Sequence, residues 1–140
     1  MELVRMLFFA LFATMMVAAV GVVTDLKLIK TGKKAWLRPK WLWNLLELGV
    51  IFGWIVLKFN WVLPWWHFAF LMGTMAWYWA AFHDCWLGIG LDRGPWYLGT
   101  SKWDRKMSGI FNQFGMEPGL VFFLFKLFWA GILTGGFLSL

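Results

Sequence analysis

The sequence predicts an all-α integral membrane protein with four transmembrane helices. Hydrophobic residues make up 61% of the 140-residue chain and charged residues only 14%, a composition too apolar for a soluble domain. Its apolar segments are long enough to cross a hydrocarbon core of about 30 Å as helices, and no segment alternates as a strand does. We expect a single membrane domain over residues 1–140, with spans near residues 6–23, 41–57, 59–82 and 119–140.

The first predicted span is an uncharged run over residues 6–23. Arg5 before the run and small residues near its end also fit a cleaved signal peptide, but the apolar region of a signal peptide is usually shorter. We therefore interpret the run as a transmembrane helix. Small residues spaced along it allow close approach of a second helix; they are Ala10, Ala13, Thr14 and Ala18.

A basic loop over residues 24–40 predicts the orientation, because its only acidic residue is Asp25 and cytoplasmic loops are rich in Lys and Arg. With residues 83–118 on the same cytoplasmic side, both termini lie on the non-cytoplasmic side of what we assume to be a bacterial-type inner membrane. The net charge of +6 then indicates lipid rather than nucleic acid. Each basic residue attracts anionic headgroups by about 1 kcal/mol, and those of the loop are Lys27, Lys30, Lys33, Lys34, Arg38 and Lys40.

Three polar residues lie inside the predicted spans. Asn44 and Glu47 share one face of the second span, and Lys126 is the only charged residue of the fourth. At a rise of about 1.5 Å per residue, Glu47 and Lys126 both lie roughly 9–10 Å below the cytoplasmic surface. Since a lone charge in hydrocarbon is costly, we expect a Glu47–Lys126 ion pair, with Asn44 supplying a further hydrogen bond.

Two pairs of glycines four residues apart predict faces on which helices pack closely. They are Gly49 with Gly53 in the second span and Gly131 with Gly135 in the fourth. We expect His67, near the start of the third span, to have a structural hydrogen bond or to reach the membrane interface, with a ligand role as the less favoured alternative.

Most of the remaining polar chemistry gathers in a Gly- and Trp-rich segment over residues 82–105, which also holds the sole cysteine, Cys85. Turn-forming glycines and tryptophans typical of the headgroup region indicate an interfacial loop. Beyond it, Ser101 and Asp104 fit a capping box, and apolar residues follow at helical spacing. They predict a short amphipathic helix that ends at Gly115, before Pro118.

The segment suggests a membrane enzyme that acts on lipid headgroups. Its carboxylates would hold Mg²⁺, its histidine would act as the base, and its arginines would bind phosphate. The candidate catalytic residues are His83, Asp84, Asp92, Arg93, Asp104 and Arg105. We favour local salt bridges instead, because the chain has no P-loop, HExxH, GxSxG or CxxC motif. No metal site and no particular cofactor is predicted.

These observations favour a scaffold or accessory subunit of a membrane assembly. Short loops leave no soluble domain, and the expected partners are membrane lipids and other membrane subunits or further copies of the chain. One alternative is a homo-oligomeric channel or transporter in which Asn44, Glu47 and Lys126 line a polar path. The other is the headgroup enzyme, which we favour less.

Overall fold

A computed structural model of the chain describes residues 2–32, 40–58, 64–96 and 102–139. Every regular element within these ranges is a helix, which confirms the all-α prediction. The described residues form five helices: α1 (Glu2–Lys30), α2 (Lys40–Lys58), α3 (Trp65–Gly90), α4 (Lys102–Gln113) and α5 (Pro118–Ser139).

Two of the described helices are long and apolar enough to cross a membrane, over Leu3–Lys30 in α1 and Pro118–Ser139 in α5. This finding supports a membrane location on length and composition. The prediction of four spans is not confirmed, because only α1 and α5 are identified as candidate spans among the described residues. α3 has 26 residues, but its Trp, Tyr, His and Asp residues lower its mean hydropathy.

α1 continues to Lys30 and therefore includes the first part of the predicted basic loop. No Gly or Pro interrupts the chain between Gly21 and Gly32, and lysines in the last turn complement the helix dipole. The helix ends where Gly32 takes a left-handed backbone with φ of 64°. The amide of Gly32 donates to the carbonyl of Ile29 at 3.2 Å, as expected for a glycine that closes a helix.

α3 likewise passes its predicted end at residue 82, so residues 83–90 are helical and not part of a loop. The helix closes in a Schellman motif. Asp92 is left-handed with φ of 56°, the Arg93 amide donates to the Gly88 carbonyl at 2.9 Å, and the Asp92 amide donates to the Ile89 carbonyl at 3.1 Å. The turn predicted from the glycines thus begins later, at Leu91.

α4 occupies the place of the predicted amphipathic helix. It closes at Gly115, whose φ is 66°, and the Met116 amide donates to the Phe111 carbonyl at 3.1 Å. The ring of Phe111 meets that of Phe122 in α5 edge to face, with centroids 5.8 Å apart. Pro118 then begins α5, a position that suits the fixed φ of proline.

α3 lies between α1 and α5 and contacts both extensively. α1 and α3 run in the same direction, because Gly21 lies against His83 and Leu26 lies against Gly90 farther along both helices. A Cβ atom at Gly90 would stand 2.5 Å from Cδ1 of Leu26. Glycine at this position therefore lets α1 approach the last turn of α3, which helps to keep that turn helical.

α5 runs antiparallel to α3 and also approaches it through glycines. Gly73 of α3 faces Leu133, and Gly136 of α5 faces Phe70, with a built Cβ atom only 2.8 Å and 2.6 Å from the nearest side-chain carbon. The four glycines that the sequence predicts as helix-packing positions do not make such close approaches among the described residues. At Gly49, Gly53, Gly131 and Gly135 a Cβ atom would meet no atom of a neighbouring helix within 4 Å among the described residues.

α2 packs mainly on α1 and more lightly on α3. Phe9 of α1 contacts Trp54 of α2 with ring centroids 4.9 Å apart, and Phe52 of α2 meets Phe68 of α3 edge to face at 5.8 Å. The apolar core lies where these helices meet. Its buried residues are Met6, Leu7, Ala10, Leu48, Ile55, Leu71, Met75 and Phe137.

Candidate functional site: a buried polar network across three helices

His83 lies at the centre of a polar network that joins α1, α3 and α5. Its Nε2 is 2.8 Å from Oδ2 of Asp25 in α1, and its Nδ1 is 3.4 Å from Oδ1 of Asp84 in α3. The other carboxylate oxygen of Asp84 accepts a hydrogen bond from Nζ of Lys126 in α5 and forms an ion pair with it. We call Asp25, His83, Asp84 and Lys126 the His83 network.

A stripe of buried residues on α1, most of them small or apolar, brings that helix close to His83. The residues of the stripe recur every three or four positions, which places them on one face of a helix. Opposite the imidazole stands Gly21, where a Cβ atom would be 3.3 Å from Cδ2 of His83. The absence of a side chain at Gly21 thus makes room for the ring. The buried residues of the stripe are Ala10, Thr14, Ala18, Val22 and Asp25.

Trp79 holds the imidazole from within α3. It precedes His83 by one helical turn, and the two rings stack with centroids 4.7 Å apart and planes at 24°. Side chains four residues apart meet on a helix surface, so this contact follows directly from the helical continuation of α3. The stacked indole restricts the ring to the plane in which its nitrogens face Asp25 and Asp84.

The network lies near the end of the bundle where α1 and α3 finish and α5 begins, with His83 and Asp25 buried and the side chain of Asp84 42% exposed. At 1.5 Å per residue, His83 is about 10 Å before the end of α3 and Lys126 is about 12 Å beyond the start of α5. His83 is only 2% exposed and Asp25 only 7%. Charges at such a depth are costly unless they are paired, and here each carboxylate faces a nitrogen of another side chain.

A small cavity adjoins the Asp84–Lys126 pair. Its volume is about 10 Å³, and Cys85, Pro95 and Gly119 also line it. A space of this size holds about one water molecule and is far too small for a lipid headgroup. Beside this cavity the start of α5 lies close to the turn after α3, since a Cβ atom at Gly119 would overlap the backbone carbonyl of Trp96.

Replacing Gly119 by alanine should therefore lower the thermal stability of the protein in detergent substantially. The new methyl group overlaps backbone rather than a movable side chain, so the start of α5 must shift, at an expected cost of about 2 kcal/mol or more. Gly131→Ala in the same helix is the matched control. Gly131 is exposed, with no neighbouring atom near a built Cβ among the described residues, so alanine should stabilise by up to about 1 kcal/mol. Equal effects of the two changes would contradict the close approach.

Among the candidate catalytic residues whose side chains the structure describes, it brings His83 and Asp84 into contact. Asp92 and Arg93 are exposed in the turn after α3, and Arg105 is exposed on α4. The side chain of Asp104 lies outside the described residues. The helical continuation of α3 explains this separation, since it draws the first two residues into the bundle and leaves the next two at its surface.

Lys126 has a different partner from the predicted one. It pairs with Asp84, whereas Glu47 is exposed beside a groove of about 270 Å³ that is otherwise lined by apolar residues of α1 and α2. The physical reason is that α5 packs chiefly on α3, which places Asp84 and not Glu47 next to Lys126. The side chain of Asn44 lies outside the described residues.

The predicted headgroup-binding residues are described only in part. Lys27 and Lys30 are exposed on the last turns of α1, and the side chains of the other four lie outside the described residues: Lys33, Lys34, Arg38 and Lys40.

Asp25 is the network residue that sequence reasoning missed. Its position among lysines indicates a loop, but its spacing from Ala18 and Val22 continues the buried stripe of α1. That spacing is the sequence signal that identifies Asp25 as a buried residue.

Within the described residues, no group of three or more His, Cys, Asp and Glu residues could hold a metal ion. Comparison of the chain with protein-family models, with curated proteins and with solved structures finds no match. Its function is therefore inferred from its own residues.

Proposed function

We propose that this chain is a scaffold or accessory subunit of a larger membrane assembly, with membrane lipids and other membrane proteins as its partners. The observation that carries this proposal is that the charged side chains inside the bundle are paired with one another. Asp25, His83, Asp84 and Lys126 bind one another across three helices, and the cavity beside them has room for about one water molecule. Such a network pairs the interior charges with one another and leaves little space for a substrate.

The outer surface of the bundle supports the same proposal. Large apolar side chains of α5 are exposed, among them Phe128, which is 60% exposed. On that helix Gly131 and Gly135 are exposed and contact no neighbouring helix of the described chain. Gly49 on α2 is likewise exposed and contacts no neighbouring helix among the described residues. Small residues on a membrane helix allow a second helix to approach closely, so these faces suit contacts with other transmembrane segments.

We also propose that α2 and α3 cross the membrane together with α1 and α5. The parallel direction of α1 and α3 and the opposite direction of α5 agree with a chain that crosses at each long helix. By the positive-inside rule, the end at which α1 finishes is cytoplasmic, which places both termini on the other side of a bacterial-type inner membrane. Labelling of a cysteine introduced at Lys30 from the non-cytoplasmic side would contradict this orientation.

Native mass measurement after extraction in a mild detergent tests the proposal. An accessory subunit should be recovered with a larger partner in a fixed ratio, in addition to its own mass of 16.4 kDa. Substitution of leucine for Gly131 should weaken this association if the exposed face of α5 carries it, while the chain itself stays folded. Recovery of the chain alone under several mild detergents would contradict the proposal.

One observation favours a homo-oligomeric channel or transporter as the second candidate. Glu47 is exposed on α2 in otherwise apolar surroundings, and an ionisable residue in a membrane helix usually faces a partner or a wet path. In this alternative Glu47 would face another copy of the chain. The same mass measurement separates the candidates, since a channel predicts a single multiple of 16.4 kDa without a second protein.

A further inference from the structure

The two ring nitrogens of His83 face different carboxylates. Nε2 is 2.8 Å from Asp25 and Nδ1 is 3.4 Å from Asp84. An ionised carboxylate only accepts hydrogen bonds, and a neutral imidazole has only one N–H group to donate. Both contacts are hydrogen bonds to ionised acids only when His83 carries a proton on each nitrogen.

The charges around His83 agree with this state. Asp25 faces the ring from α1, Asp84 faces it from α3, and Lys126 of α5 contacts Asp84. Loss of the proton from His83 would remove the positive charge from between two carboxylates, at a site where the side chains of His83 and Asp25 are only 3% and 9% exposed. Hydrogen bonds from a charged donor to a carboxylate are stronger than neutral ones, so both contacts favour the protonated ring.

The two carboxylates that face the ring differ in exposure. The side chain of Asp84 is 42% exposed, and the cavity of about 10 Å³ lies beside it. The side chain of Asp25, on the other side, is 9% exposed. A water molecule in the cavity would have Asp84 and Lys126 as polar partners, which such a buried water requires.

We propose that the His83 network is an internal proton-binding site, in which His83 holds a proton between Asp25 and Asp84 and exchanges it with water on the Asp84 side. The ligand of this site is the proton itself. A shared proton between His and Asp side chains is the arrangement used by intramembrane proton relays. This role goes beyond the proposed accessory function and does not depend on it.

Nitrogen-15 NMR of the histidine-labelled protein at neutral pH tests the proposal, because the chain contains only two histidines. The signals of His83 are assigned as those that remain in His67→Gln. We expect both of its ring nitrogens to be protonated. One protonated and one unprotonated nitrogen in the otherwise unchanged protein would overturn the proposal.

Two single changes should shift the loss of the His83 proton in opposite directions when the pH is raised in the same NMR experiment. Asp84→Asn removes one of the two carboxylates that face the ring, so the proton should be lost at a lower pH. Lys126→Met removes the ammonium that contacts Asp84, so the proton should be lost at a higher pH. No change in Asp84→Asn, or a change in the opposite direction, would overturn the proposal.

The rate at which each ring proton of His83 exchanges with water tests the side from which the proton is exchanged. Saturation transfer from water should reach the Nδ1 proton, on the Asp84 side, at least several times faster than the Nε2 proton on the Asp25 side. Equal rates, or faster exchange at Nε2, would overturn exchange through the Asp84 side. These readouts report on His83 alone and are unaffected by whether a partner protein is found.

Discussion

Replacing Asp84 by leucine should destabilise the protein strongly, and replacing Lys126 by methionine in the same molecule should restore much of the loss. Asp84→Leu leaves the ammonium of Lys126, whose side chain is only 15% exposed, without the carboxylate that it contacts. Removing one partner of a buried pair costs about 3–5 kcal/mol. Since the Asp84 side chain is 42% exposed, screening by solvent lowers the expected cost to about 2 kcal/mol.

The unfolding free energies of the two single variants and the double variant, measured by SDS titration in mixed micelles, give the coupling between the residues. The double variant should be more stable than Asp84→Leu, because an apolar pair replaces an isolated charge. Glu47→Gln is the matched control, and its effect should add to that of Lys126→Met, since Glu47 is exposed and Lys126 pairs with Asp84. Strict additivity for Asp84 and Lys126, with coupling for Glu47 and Lys126, would contradict the structure.

The two histidines should differ sharply when each is replaced by leucine. His83→Leu removes the imidazole that faces the buried carboxylate of Asp25 and should cost about 3 kcal/mol or more. His67 is also buried, at 4% exposure, but its Nδ1 has no hydrogen-bond partner among the described residues. His67→Leu should therefore change the stability by less than about 1 kcal/mol, because leucine needs no partner and packs against Phe137.

Thermal unfolding in detergent, followed by circular dichroism, measures both histidine variants under the same conditions. The comparison is internal, since both residues lie on α3 and both changes remove an imidazole. A loss of stability in His67→Leu equal to that in His83→Leu would mean that the loss reflects packing of the ring and not the network.

The helical class and the amphipathic helix α4 could be predicted because they depend on local signals, namely the length of apolar runs and the residues that end helices. The ends of α1 and α3 could not be predicted in the same way. Gly88 and Gly90 are turn signals in isolation, yet both are helical here, and Gly90 is needed for the approach of Leu26. Tertiary packing thus overrides a weak local preference.

Only part of the polar site could be predicted, because the partners of its residues also depend on tertiary packing. His83 and Asp84 could be singled out because ionisable residues are rare in such an apolar chain. Their partners depend on which helices are neighbours and on how they are aligned along their axes, and neither property is visible in the spacing of residues within one helix. Lys126 could be recognised as needing a partner, but the choice between Glu47 and Asp84 follows from the packing of α5 on α3.

The central claim is that the interior charges of this protein bind one another across three helices. Dipolar recoupling NMR in lipid bilayers, with nitrogen-15 in the histidine rings and carbon-13 in the aspartate carboxyl groups, tests it most directly. The structure predicts that both ring nitrogens of His83 are dephased by aspartate carboxyl carbons, because they lie 2.8 Å and 3.4 Å from carboxylate oxygens, whereas those of His67 are not. Dephasing of neither nitrogen of His83 would contradict the claim.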